Sequence, residues 1–305
     1  MKGSRGAVLA TVGSALLWGS SFAVIKIGLG SIDPYWFAFL RFAIASLVAL
    51  LAMAALGELR EVGLLLRSRL VLLLGLTNAV GFILQFKGQT MTSAGNAALL
   101  VNSSTIYVAL ASHFFLRERF GVLKILAVVI GVVGVALVTT GGRPSLDLGG
   151  NFRGNVFVLF AAFIWTAFIL LDKKIVANHD VDMRALTAAM VTVTAIAALP
   201  AALVFGHGAF PRLSGGWWTV PYTSVFCTVA PFFLWSWGLR RISATTSSVL
   251  MLSEVIFALI LAGIILGERL SAGAIVGSGL IIGAAVLASR ETGSELASGP
   301  DVVPE

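Results

Sequence analysis

The chain has 305 residues, of which 58% are hydrophobic and 11% charged. A soluble domain carries about 25% charged residues, so a water-exposed globule is excluded. Ten membrane helices of about 20 residues would use roughly 200 positions and leave about 105 for loops and tails, so no separate soluble domain fits. The single cysteine, Cys227, excludes an internal disulfide and speaks against a cysteine-based metal site. The formal charge of +7 comes from Lys and Arg scattered over short loops, which fits membrane orientation and gives no reason to expect nucleic acid as a partner.

Met1–Arg5 is a short basic stretch, and the apolar run from Ala7 continues through Trp18 to about Ile25. That is too long for the core of a cleaved signal, so it reads as a retained first span. Further spans are expected at Pro34–Leu56, Leu70–Phe86, Ser93–Leu116, Gly121–Thr140, Gly154–Leu171, Met183–Phe205, Trp217–Leu239, Ser243–Leu266 and Ala272–Ala288. The expectation is an all-α polytopic membrane protein of ten helices, rich in the Gly, Ala and Ser that let membrane helices approach closely.

An even span count puts both termini on one side. That side receives Lys2, Arg5, Arg60, Arg67, Arg69, Arg117, Arg119, Lys124, Lys173, Lys174, Arg184, Arg240, Arg241 and Arg290, fourteen in all. Lys26, Lys87, Arg143, Arg153, Arg212 and Arg269, six in all, fall opposite, and Arg41 lies inside a span. The bias predicts cytoplasmic termini in a cell membrane, such as a bacterial inner membrane. Residues 141–153, with Gly141, Gly142, Pro144, Gly149 and Gly150, read as an external linker between units 1–140 and 154–290. Residues 291–305 read as a disordered cytoplasmic tail.

The halves repeat. Gly81–Arg119 aligns without gaps to Pro231–Arg269 at an offset of 150, with identities that include Phe82/Phe232, Gly88/Gly238, Ser93/Ser243, Leu100/Leu250, Ser103/Ser253, Glu118/Glu268 and Arg119/Arg269. An echo at offset 147 pairs Ala15/Ala162, Trp18/Trp165 and Lys26/Lys173. Five spans per half is odd, so the second half enters the membrane upside down. Inverted repeats of this kind place a transporter's substrate site at the midplane between the halves. Gly81 and Pro231 hold equivalent places and both weaken a helix, which marks them as candidate hinges.

The segments LLWGSSF (Leu16–Phe22), LRF (Leu40–Phe42), FLRERF (Phe115–Phe120), LSEVIFALILAGIILGERL (Leu252–Leu270) and IVGSGLIIGAAVL (Ile275–Leu287) resemble the EamA repeat of the drug/metabolite transporter superfamily. The resemblance implies ten helices, cytoplasmic termini, a central cavity lined by helices 1, 3, 4, 6, 8 and 9, and export of small metabolites such as amino acids. That family often carries a proline in helices 4 and 9. Here Thr105 and Val255 stand instead, so a proline-hinged account of those helices does not carry over.

Glu254 is the sharpest single signal. It falls near the middle of span nine, where a lone charge is costly and commonly faces a cavity or a partner. It can bind a substrate ammonium, exchange a proton, or sit as a protonated structural carboxyl beside Ser253. Arg41, two turns inside span two, can draw a substrate carboxylate, or it can pair with a backbone carbonyl or snorkel outward. Substrate-lining candidates near mid-span are Trp18, Ser21, Asn78, Phe82, Gln85, Asn102, Thr105, Trp165, Thr228 and Trp235, with Ser20 and Tyr107 beside them; gluing of helices is the competing role for the small polar residues. The symmetry-matched Trp18 and Trp165 suit a sandwich around an apolar group, or plain packing. Lys26 and Lys87 read as snorkelling side chains, His113 as interfacial, and Trp217 and Trp218 as anchors. Glu118–Arg119 and Glu268–Arg269 read as helix-end charges. Gly273, Gly277, Gly279 and Gly283 satisfy Gly-x-x-x-Gly twice on span ten, suiting contact within the bundle or a homodimer.

No phosphate-binding Gly-Lys-Ser/Thr loop, zinc helix or serine elbow is present. His179, Asp180 and Asp182 read as a solvated loop, not a metal cluster. A secondary exporter of small organic metabolites, cofactor-free and first of all for amino acids, is the expectation, with a drug or nucleobase exporter second. A passive channel or an intramembrane enzyme is the reading from a different class.

Overall fold

The structure, a computed structural model, describes residues 2–91, 100–116, 121–140, 152–177, 180–206, 215–266 and 271–297. The linker at 141–151, the Glu118–Arg119 and Glu268–Arg269 endings, Ser93, His179, the Lys26 side chain and the tail from 298 lie outside that description.

Every described element is helical. In chain order they are α1 (Lys2–Leu29), α2 (Pro34–Ala55), α3 (Leu59–Leu65), α4 (Arg69–Gln89), α5 (Ser104–Phe115), α6 (Val122–Thr140), α7 (Phe152–Val176) and α8 (Met183–Phe205). Then come α9 (Thr219–Ser224), a π-helical segment (Val225–Val229), α10 (Ala230–Leu239), α11 (Ala244–Met251), α12 (Ser253–Leu266) and α13 (Ala272–Ala297). Among them α2, α4, α7 and α8 are each long and apolar enough to cross a membrane. Leu9, Leu51, Val122, Val129, Ile196, Leu203 and Val204 are exposed, an apolar exterior that water would not tolerate on this scale and lipid requires.

Three expected spans are not continuous. Span eight contains the π segment between α9 and α10. Span nine is broken at Leu252 between α11 and α12, and the described part of span four is interrupted at Ser103 ahead of α5. Proline is not needed for the last two breaks. Ser103 Oγ donates to Leu100 O at 2.6 Å, and the repeat-equivalent Ser253 Oγ donates to Leu250 O at 2.7 Å. Such back-bonding offers the carbonyl an alternative partner and bends helices. Two further differences are minor: α3 adds a short helix between spans two and three, and α13 continues to Ala297, into the stretch expected to be a tail.

The repeat is visible in the packing. A Cβ on Gly88 would meet Val158 Cγ2 at 2.5 Å and Gly154 O at 3.0 Å; on Gly238 it would meet Thr11 Oγ1 at 2.5 Å and Ala7 O at 2.9 Å. Val158 and Thr11, like Gly154 and Ala7, are 147 positions apart. Aromatic contacts obey the same rule: Phe82 lies edge-on to Trp165 at 4.8 Å, and Phe232 lies edge-on to Trp18 at 5.0 Å. Contacts α4–α7 and α10–α1 are thus one contact made twice and exchanged between the halves, as a two-fold relation requires. On that relation's line Ser46 and Thr192, 146 positions apart, share a hydroxyl bond of 2.7 Å between α2 and α8. Helices α6 and α13 run antiparallel: Gly134 abuts Gly277 O and Ile281, and Gly277 abuts Gly134 O and Val138. Gly277 is therefore spent inside the bundle, while Gly279 and Gly283 have open space around them.

Helix α8 starts on Asp182, whose Oδ1 accepts from the backbone N–H of Arg184 at 2.7 Å and of Ala185 at 3.1 Å. Partial burial pushes this carboxyl's pKa up, but the hydrogen bonds from the Arg184 side chain and from those N–H groups outweigh it, and the net shift is down. A lowered folded pKa means a contribution fully present above the unfolded value, near ~3.9, and lost as pH falls through the folded one. Asp182→Ala is expected to cost about 1 kcal/mol at neutral pH, and the gap to wild type to close below about pH 4. Thermal melts in detergent across that range check it; a gap independent of pH overturns the assignment.

Candidate functional site

The centre of the molecule is organised by a missing donor. Pro231 has no N–H, so the carbonyl four residues back, that of Cys227, loses its α-helical partner. Around that vacancy the chain widens into the π segment, with the Ala230 N–H bonding Val225 O and Thr228 Oγ1 donating to Thr223 O at 2.8 Å. Single π turns inside α-helices are frequent at functional sites. The freed Cys227 carbonyl accepts twice, from Arg41 Nη2 at 2.6 Å and from Trp18 Nε1 at 3.0 Å. Arg41 Nε donates to Thr228 Oγ1 at 2.8 Å. Span two, span one and the broken span eight therefore meet at one carbonyl. The first half has no counterpart of this arrangement, because Gly81 keeps its N–H and α4 runs through it unbroken.

Arg41 is 1% exposed, and its guanidinium lies 4.8 Å from the Phe82 ring and 5.6 Å from that of Phe42. Its Nη1 has no hydrogen-bond partner among the described residues. Glu254, half-buried at the second residue of α12, is near enough for its charge and that of Arg41 to attract. No ion pair joins the two among the described residues. Helix α12 reaches this depth because Gly19 admits it: a Cβ there would lie 2.8 Å from Glu254 O and 2.9 Å from Phe257 Cβ.

Trp18 and Trp165 are both half-buried, but they do not face one another across open space. Trp18 contacts Phe232 and Trp235, Trp165 contacts Phe82 and Phe168, and Phe168 closes the row, stacked on Trp235 at 5.6 Å and edge-on to Phe232 at 5.9 Å. A continuous aromatic row thus joins the two indoles. Gln85 orients one end, its Oε1 accepting from Trp165 Nε1 at 2.9 Å. Gly81 serves this row as well, since the Trp165 ring lies 3.2 Å from where its Cβ would be.

Several of the remaining candidates hold helices together. Asn78 is fully buried and donates to Thr194 Oγ1 at 3.0 Å, on α8. Ser21 donates back to Trp18 O. Thr105 reaches Ser248 O at 3.5 Å, and Ser112 with Thr245 at 2.8 Å continues that seam between α5 and α11. Trp235 Nε1 donates to Ser247 Oγ at 2.9 Å. Asn102 and Tyr107 are half-buried, and Tyr107 stacks on Phe163 at 4.4 Å. Lys87 lies 5.7 Å from the Tyr35 ring near the end of α4, and His113 is exposed against Phe114.

Asp172 was not singled out from the sequence. It is 1% exposed, accepts from Ser236 Oγ at 2.8 Å, and sits beside Lys173, whose Nζ donates to Leu239 O and Ile242 O. Packing of α7 against α10 buries Asp172, while Lys174 of the same helix end stays exposed. Two surface clefts, of about 370 and 330 Å³, are lined by residues such as Asp182, Phe233 and Arg240 and by Phe115, Lys173 and Lys174. Neither includes Arg41, Glu254 or the aromatic row.

Matched contacts exchanged between the two halves around a buried centre are the geometry of a repeat-built membrane carrier. The EamA-like transporter family matches at residues 5–140 and again at 152–290. The chain belongs to this family. It is a multi-pass transporter, and not an enzyme. An uncharacterized transporter of Archaeoglobus fulgidus is 27% identical over 83% of this chain and 87% of its own. The uncharacterized transporter YoaV of Bacillus subtilis is 25% identical over 88% and 92%. A probable terminal-alkyne amino-acid exporter of Streptantibioticus cattleyicolor is 26% identical over 94% of both chains. A solved crystal structure superposes with a TM-score of 0.80 at 19% identity, over 95% of this chain and 98% of that one, which speaks for the fold alone.

Proposed function

We propose that this transporter exports amino acids, bulky or aromatic ones foremost, across a cell membrane by alternating access of two inverted five-helix halves. In this reading ten spans, with the broken segments counted as parts of spans four, eight and nine, place both termini in the cytoplasm. The observation that carries the substrate class is the make-up of the centre: a buried Arg41 and a half-buried Glu254 beside an aromatic row that ends in Trp18 and Trp165. A relative named as a probable amino-acid exporter supports the same direction. The Ser103 and Ser253 breaks, with Gly81 and Pro231, are the places where the halves bend, and the open Gly279–Gly283 face of α13 is available to a second copy in the bilayer.

Counterflow in proteoliposomes tests it. Saturable exchange of L-phenylalanine is expected, whereas unsaturable flux would indicate a channel and a chemically altered substrate an enzyme. Trp18→Ala and Trp165→Ala are each expected to weaken phenylalanine more than alanine, by about two- to tenfold, the worth of one aromatic contact. An unchanged ranking in both variants would return the indoles to packing alone.

A further inference from the structure

We propose that Arg41 receives the carboxylate of a zwitterionic substrate on its open Nη1 edge while Glu254 takes the ammonium group, an assignment that rests on the amino-acid reading above. Three observations carry it. The first concerns donors. A guanidinium has five N–H groups in a planar fork, and the protein engages one edge of it, Nε with Thr228 Oγ1 and Nη2 with Cys227 O. The opposite edge, Nη1 with the second N–H of Nη2, is the one that meets a carboxylate end-on through two parallel bonds. Nη1 is buried and has no partner among the described residues. An arginine kept only to fasten the π segment would be expected to find acceptors for both edges, because an unmatched charged donor inside protein is costly.

The second concerns rigidity. Three elements fix the Arg41 head group: the π segment through two hydrogen bonds, the Phe82 ring 4.8 Å away, and the Phe42 ring 5.6 Å away. Trp18 shares the same carbonyl acceptor, so the residue at the end of the aromatic row and the cation are set by one atom. A ligand with its carboxylate on Nη1 and an apolar side chain on that row is held at two points whose separation the protein controls.

The third concerns symmetry. Contacts that build the fold recur at offsets of 147 to 150, but the positions that match Arg41 and Glu254 are Ala188 and Ser104. The fold is therefore completed in each half without these charges. Two residues that break the repeat, one basic and one acidic, and that no ion pair joins among the described residues suit a ligand that carries both signs itself. An alkyl acid or a simple amine would leave one of them uncompensated in a region of low dielectric.

The test compares L-phenylalanine with L-phenylalaninamide, which lacks the carboxylate charge, and with phenethylamine, which lacks the carboxylate. Each competes against radiolabelled L-phenylalanine in proteoliposomes of wild type, Arg41→Lys and Arg41→Gln. Wild type is expected to prefer the amino acid to its amide by about ten- to a hundredfold, the range of a charge-assisted hydrogen bond. That preference should fall to within about twofold in Arg41→Gln and to an intermediate value in Arg41→Lys, which keeps the charge without the fork. The ratio is independent of how much folded carrier is recovered, which separates recognition from the fastening role. If Arg41→Gln gives no folded carrier, Arg41→Lys and wild type decide. Wild type that exchanges phenylalanine without preferring it to the amide overturns the assignment and leaves the amino-acid reading standing, as does full retention of the preference in Arg41→Lys together with Arg41→Gln or, where the latter does not fold, in Arg41→Lys alone. Wild type that exchanges no amino acid overturns both.

Discussion

Gly88→Val and Gly238→Val are each expected to leave almost no folded transporter, whereas Gly279→Val should be recovered at the wild-type level. At the first two positions even a Cβ would stand 2.5 Å from a side-chain atom and 3.0 or 2.9 Å from a backbone carbonyl of the facing helix. Backbone on a packed helix cannot yield, so α4 would have to part from α7, or α10 from α1. Overpacking a single site costs about 1–3 kcal/mol, and here a whole interface shifts, so a loss above about 3 kcal/mol is expected. The two variants should fail to a similar degree because the contact is the same one made twice. Monodisperse yield in mild detergent is the measurement. Normal recovery of either valine variant would sink the claim that these glycines set the distance between halves.

That pairing was readable before any coordinates. Gly88 and Gly238, identical at offset 150, and Trp18 and Trp165, matched at 147, each make their contacts in the opposite half. Sequence could expose them because a two-fold relation imposes the same small-residue requirement twice. The breaks in spans four and nine were half readable. Ser103/Ser253 and Leu100/Leu250 are identical pairs, and each serine bonds the carbonyl of its own leucine. With Thr105 and Val255 in place of proline, the hydroxyls of Ser103 and Ser253 do similar local work.

The π segment was legible only in part. Pro231 was recognised as a weak point, yet the consequence lies four residues earlier, at a carbonyl that no side-chain inventory contains. Depth alone favours a structural role for Arg41, by carbonyl pairing or snorkelling, over substrate binding, because sequence gives the depth of a residue but not its acceptors. Asn78 and Thr105 illustrate the reverse. Their mid-span depth suggested a cavity, but depth is shared by the faces that meet another helix, and the partners Thr194 and Ser248 lie more than a hundred positions away in sequence.

Glu254→Gln is expected to reduce counterflow by about tenfold or more while thermostability and yield stay within error of wild type. The expectation follows from what holds α12 in place: Gly19 packs on the backbone of Glu254 and on Phe257 and Ala258, and glutamine preserves both that backbone and the side-chain volume. What the substitution removes is the titratable carboxyl within electrostatic range of Arg41. With it goes the group that would take the substrate ammonium, so affinity should fall more for phenylalanine than for a neutral apolar competitor. Transport by wild type should change with pH as the carboxylate gains or loses its proton, and the glutamine variant should lack that component of the profile. Arg41→Gln combined with Glu254→Gln should be no worse than the poorer single variant if one zwitterion bridges both residues, because removing either end already breaks the bridge. Transport by Glu254→Gln that matches wild type at every pH would instead make this carboxyl a structural group, and would leave Arg41 to act alone.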